Sequence, residues 1–114
     1  MTIEEVLEKV YKQGNMQQET ILTSKVATAT FEGVYAGDLL SHVMAHAKEK
    51  NLFLTIMCNM NTIAVATLLE LPVIVFAEGV IPTEEMIQKA TEENIMLITT
   101  ELNVVDVIRK IYTL

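Results

Sequence analysis

The fold of this chain is decided between Leu52 and Pro82, LFLTIMCNMNTIAVATLLELPVIVFAEGVIP. The stretch reads as strand, polar loop, apolar helix, strand, polar loop. Leu52 to Met57 is an apolar run broken only by Thr55, and Pro72 to Ala77 (PVIVFA) is a second. Neither alternates apolar with polar residues, which is how a strand covered by helices on both faces reads. Between them Thr62 to Leu71 is almost wholly apolar. It is too long for a turn and suits the crossover helix of a βαβ unit. A helix with no broad polar face is buried on most sides or forms part of a subunit contact.

Outward from this unit the same rhythm continues. Upstream, Thr2 to Lys12 places Ile3, Val6, Leu7, Val10 and Tyr11 on one helical face, with a Thr2–Glu5 capping box and Gly14 and Asn15 at its end. Asn15 to Glu19 is polar and reads as a loop. Lys25 to Phe31 (KVATATF) carries β-branched residues at alternate positions and reads as a strand. Gly33 to Gly37 reads as a turn, and Asp38 as the N-cap of a helix to about Glu49, with Leu39, Leu40, Val43, Met44 and Ala47 as its apolar face. Downstream, Pro82 and Thr83 open a helix with Glu84 and Glu85 in its first turn, where the helix dipole favours acids. Asn94 suits a left-handed helix end, Ile95 to Ile98 a short strand, and Thr99, Thr100 and Asn103 lead into a last helix through Tyr112. Helices alternating with short strands predict an α/β fold: a three-layer domain with a mostly parallel four- to five-stranded sheet flanked by helices.

Length and composition bound the function. A chain of 114 residues predicts a single domain over residues 1–114. Apolar residues make up 51% of it, enough for a real core. No apolar run reaches the ~20 residues of a membrane helix, and the acidic start MTIEEVLEKV is unlike a signal peptide, so a cytoplasmic protein with no membrane partner is expected. A net charge of −7 disfavours nucleic acid as a partner. The single Cys58 leaves no intramolecular disulfide.

Ligands of open parallel sheets bind beyond the carboxyl ends of the strands. Here those ends offer Asn59 to Asn61, Glu78–Gly79 and Thr99–Thr100, joined by the Gly33 to Asp38 turn. Candidate ligand-binding residues are therefore Asn59, Asn61, Gly79, Thr99, Thr100, Gly37 and Asp38. Such side chains, with free amides at helix starts, suit a small polar or anionic group. The plainer reading makes Asn61, Asp38 and Asn103 N-caps and Gly79 a turn residue. His42 and His46 have metal-binding spacing but no third local ligand beyond Glu49, so no metal is expected. Cys58 has no nearby histidine and reads as an inert thiol. Neither GxxxxGK[ST] nor GxGxxG occurs, so no kinase or ATPase activity and no cofactor are expected.

Three segments together, GDLLSHVMAHAKEKNLFLTI (37–56), MNTIAVATLLELPVIVFAEG (60–79) and IPTEEMIQKATEENIMLITT (81–100), resemble the DRTGG domain family. The resemblance runs from about Val34 to the C-terminus. That family is related to the N-terminal domain of bacterial HPr kinases, and occurs alone or beside CBS or phosphotransacetylase domains. The resemblance implies a non-catalytic regulatory or ligand-sensing module that dimerises and binds a small polar ligand or partner protein. The name-giving string is absent, its counterpart lying near Thr28 to Tyr35. Asn59 stands where relatives carry histidine, and Glu78–Gly79 where they favour two glycines, an acid that disfavours a phosphate. Two alternatives stay open: a small-metabolite enzyme with Asn59, Cys58 or Thr99 near the chemistry, or a structural subunit of a larger complex. A homodimer is expected because only Glu70 is charged between Asn51 and Phe76, and Met44, Met57 and Met60 supply adaptable contact surface.

Overall fold

The computed structural model describes residues 20–21 and 30–112. The element order is β1 (Thr20–Ile21), β2 (Val34–Ala36), α1 (Leu40–His46), β3 (Leu52–Thr55), α2 (Met60–Leu68), β4 (Val73–Phe76), α3 (Glu84–Glu92), β5 (Met96–Thr99) and α4 (Val104–Tyr112). The sheet runs β1-β5-β4-β3-β2. Strands β2 to β5 are parallel, with Val34 opposite Leu52, Leu52 opposite Val73 and Val73 opposite Met96. β1 is antiparallel to β5, with Thr20 opposite Thr99. The α/β fold with a mostly parallel sheet expected from the sequence is the one observed.

Because β2 to β5 follow one another across the sheet, three crossovers of one hand must put their helices on one face. The packing agrees. Val43 of α1, Ile63 and Ala66 of α2, and Met86 and Ala90 of α3 share one cluster with Phe53, Ile74, Phe76 and Leu97. The alternate strand residues Leu52, Leu54, Val73, Val75, Met96 and Ile98 face the other way, against Val107 and Ile111 of α4 and Phe31. Both strand faces are therefore buried, the physical reason that Leu52–Thr55, Val73–Phe76 and Met96–Thr99 show no polar alternation. Each fully buried large side chain contributes about 1.5–3 kcal/mol.

Several elements differ from the sequence expectations. Gly33 to Gly37 is not simply a turn. Val34–Ala36 forms the strand β2, too short to display a period, between Gly33 at φ 76° and Gly37. α1 ends at His46 rather than Glu49, with Ala47 extended as its C-cap. Asp38 does not cap it: the cap position belongs to Leu39, whose apolar side chain makes no cap hydrogen bond. α2 begins at Met60, two residues before the apolar run, because the Asn59 side chain accepts from the amides of Asn61 and Thr62. The cap role therefore falls to Asn59 and not to Asn61.

Other expectations stand. Thr83 caps α3 by accepting from the Met86 amide, Glu84 and Glu85 fill its first turn, and Asn94 ends it at φ 59°. Asn103 caps α4 by accepting from the Asp106 amide at 2.8 Å. The helix expected over Thr2 to Lys12, the loop at Asn15 to Glu19 and most of the strand expected over Lys25 to Phe31 lie outside the described residues.

Candidate functional site

The β2, β3 and β4 connections lead to helices on one face, and the β5 connection leads to α4 on the other. The connections therefore diverge between β4 and β5. In a parallel sheet ligands bind beyond the carboxyl ends at such a divergence. The segments that meet there are Ala77 to Gly79 and Thr99 to Asn103.

The two segments are tied together by the backbone. The Glu78 amide donates to the Leu102 carbonyl and the Gly79 amide to the Thr100 carbonyl, both at 2.9 Å. Glu78 and Gly79 both adopt positive φ, 58° and 79°, which aims their two amides at the opposite loop. A Cβ at Gly79 would meet nothing nearer than the Glu101 Cγ at 3.9 Å, so the glycine serves the backbone angle rather than a close approach. The Thr100 hydroxyl accepts from the Leu102 amide at 3.0 Å. Thr99 stands opposite Phe76 in the register, as Phe76 stands opposite Thr55, so the three point to one face. It is 5% exposed, and its hydroxyl has no hydrogen bond among the described residues.

The other candidates stand further along the same edge. The Gly37 amide donates to Leu54 at 3.2 Å. The Asp38 carboxylate accepts from the Thr55 hydroxyl and the Ile56 amide. Asn59 is occupied as a cap, and Asn61 is exposed with its amide on the Asn59 Oδ1 at 2.9 Å. The topology thus gathers all seven candidates on the carboxyl edge, and most of their polar groups already serve one another.

Two further groups carry chemistry. His42 and His46 are exposed and stacked, with ring centroids 4.0 Å apart, and the His46 Nδ1 lies 2.9 Å from the His42 carbonyl. Among the described residues no three His, Cys, Asp or Glu side chains form a group suited to a metal ion. Cys58 is free and half-buried, and burial raises its thiol above the ordinary range. That opposes a thiolate nucleophile. No described helix is long and apolar enough to cross a membrane.

Sequence reasoning missed a cavity of about 240 Å³ at the opposite, amino edge. It lies between the α2–β4 and α3–β5 turns and includes Thr67, Glu70, Glu93 and Asn94 in its lining. Glu70 and Asn94 both have φ 59°, and Asn94 as a helix-ending residue was the one local signal of these tight turns. Lys89 lies 3.2 Å from Glu93, so part of the acidic charge there is already balanced.

No family model matches the chain, and no curated protein matches it. A likeness appears among solved structures. It is to the crystal structure of the CBS and DRTGG domains of the regulatory region of Clostridium perfringens pyrophosphatase, complexed with its activator diadenosine tetraphosphate. The match has a TM-score of 0.74 and 16% identity over 96% of this chain. The chain has the fold found in that regulatory region. It spans 45% of the neighbour's length. A DRTGG domain is what the segments from Gly37 to Thr100 resemble, and a DRTGG domain is among those of that neighbour.

Proposed function

We propose that this chain is a non-catalytic regulatory domain that senses a small polar ligand at the divergence between the ends of β4 and β5. The observation that carries the reading is Thr99: a buried hydroxyl without a hydrogen bond among the described residues, at the point where the connections diverge. Buried polar groups are ordinarily paired, and an unpaired one at such a point is suited to a partner from outside. The neighbour's regulatory role and its bound activator support a sensing role for this fold. The acids at Glu78 and Glu101 favour a neutral or cationic ligand over a bare phosphate. The raised Cys58 thiol weighs against the enzyme alternative.

A thermal-shift screen of small polar metabolites on the pure chain tests the reading, since a specific ligand raises the apparent stability by mass action. Amide shifts on adding the hit should fall on Glu78, Gly79, Thr99 and Thr100. Shifts centred on Asn51 or Asn94 instead would sink this placement.

We also propose a homodimer. α2 buries Thr62, Ile63, Val65 and Ala66 within its own chain, yet leaves Ala64 and Leu68 in solvent, with Met44 exposed on α1. Small and apolar residues on one exposed strip suit close approach of a second copy. Light scattering at micromolar concentration should give twice the chain mass.

A further inference from the structure

The carboxyl edge has a second character besides its polar ties. Each of its four connections puts one large apolar side chain into solvent: Leu39 after β2 (67% exposed), Ile56 after β3 (38%), Ile81 after β4 (68%) and Val105 at the start of α4 (62%). These are four of the seven exposed large hydrophobics of the described chain, which is more than the single scattered residues that need no explanation. Turn positions ordinarily take Gly, Asn, Asp, Ser or Pro for backbone reasons, and none of these reasons asks for isoleucine. The strand order brings Leu39, Ile56 and Ile81 to the ends of the neighbouring strands β2, β3 and β4, and Val105 stands at the start of α4, beyond β5 and toward the other face of the sheet.

The charge along this edge has one sign. Asp38, Glu78, Glu84, Glu85, Glu101 and Asp106 stand in its connections and first helical turns, and no Lys or Arg does among the described residues. The described bases stand in last turns (Lys89, Arg109, Lys110) or beyond the end of α1 (Lys48, Lys50), and one reaches back to the edge: Arg109 lies 3.6 Å from Asp106 and balances that acid. The bonds Asp38–Thr55, Glu78–Leu102 and Gly79–Thr100 hold the connections in place. An edge already ordered loses little entropy on docking.

We propose that this edge is a docking surface for a basic segment of a partner protein that carries apolar side chains along one side. Charge complementarity selects that occupant. A second copy docked edge to edge would set Asp38, Glu78, Glu84, Glu85 and Glu101 against the same five acids, and like-charge contact of that kind is strongly disfavoured. An anionic ligand meets the same field. The apolar side chains supply the contact and the flanking acids select the sign of the partner. The surface extends to the ends of β2 and β3, beyond the site at Thr99, so it does not depend on a small ligand being found there.

The test uses the full chain, isotope-labelled, titrated with an amphipathic Lys/Leu peptide and with a Glu/Leu peptide of the same apolar pattern. The Lys/Leu peptide is expected to move the amides of Leu39, Ile56, Ile81 and Val105. Its affinity should fall about tenfold in the pair Glu84→Lys/Glu85→Lys and likewise in Ile81→Ser, with Leu39→Ser as the second apolar variant. The pair Glu92→Lys/Glu93→Lys makes the same change in net charge at the other end of α3 and should leave the affinity unchanged. Equal weakening by both charge pairs would reduce the effect to the overall charge of the chain and overturn the proposal. So would equal binding of the Glu/Leu peptide, shifts centred on the amino edge, or self-association abolished by Ile81→Ser. Shifts confined to Glu78, Gly79, Thr99 and Thr100 would likewise remove the docking surface while leaving the ligand site standing.

Discussion

The Asp38 carboxylate accepts from the Thr55 hydroxyl at 3.2 Å, and the same oxygen lies 3.3 Å from the Ile56 amide. One side chain thus ties the end of β2 to the end of β3, the pair joined by only three rungs of register. Asp38→Ala should lower stability in urea by about 1.5–3 kcal/mol, the range of hydrogen bonds to a charged acceptor. Asp38→Asn keeps an acceptor and should recover about half of the loss. Equal stability of wild type and Asp38→Ala would mean the tie contributes nothing.

Asn59 and Asn61 separate a cap from a bystander. The Asn59 side chain satisfies two otherwise free amides of α2, whereas the Asn61 side chain is exposed. Asn59→Ala should cost about 1 kcal/mol and Asn61→Ala within about 0.5 kcal/mol of nothing. The reverse order by denaturant titration would assign the cap to Asn61.

Thr99 and Thr100 are neighbours with opposite expectations. Thr100→Val removes the acceptor of the Leu102 amide and should destabilise by about 1–3 kcal/mol. Thr99→Val removes a buried hydroxyl with no bond among the described residues and should be neutral or stabilising. Under the proposed function Thr99→Val should also abolish the thermal shift given by the ligand. A stable variant that still binds normally would take Thr99 out of the site.

The Cys58 thiol gives a pH prediction. Burial raises it in the folded chain, so the folded state holds its proton more tightly than the unfolded state does. The associated stability is complete below the unfolded thiol's value and is lost as pH rises through the folded one. Alkylation by iodoacetamide at mildly alkaline pH should be slower for the native chain than for the same chain in urea. Cys58→Ser should flatten the alkaline fall in stability, and an unchanged fall would assign it to other groups.

The central βαβ unit was legible because strands buried on both faces cannot hide their apolar run: Leu52 to Thr55 and Val73 to Phe76 announce themselves. The acids and the Thr83 cap of α3, and the left-handed turn at Asn94, follow from local backbone chemistry and were equally readable. β2 was not. Three residues between two glycines carry no period, and Val34 to Ala36 become a strand only through their pairing with Leu52 to Leu54. Asp38 precedes an apolar helix as a cap would, but its partner belongs to the next strand, a tertiary contact that local spacing does not encode. For the same reason the candidate site was legible as an edge and not as a set of bonds. The link from Gly79 to Thr100 joins residues whose proximity comes from β4 lying beside β5.

The order β5-β4-β3-β2 has a consequence for how the chain assembles. Every parallel strand lies beside the strand made just before it, so each new strand and its crossover helix can settle on a finished neighbour as synthesis proceeds. Short-range pairing of this kind keeps loop closure cheap and folding fast. The exception is β1, whose Thr20 must wait for Thr99. That pairing is the one step that needs nearly the whole chain, and the exposed edge of β5 stays open until β1 closes it.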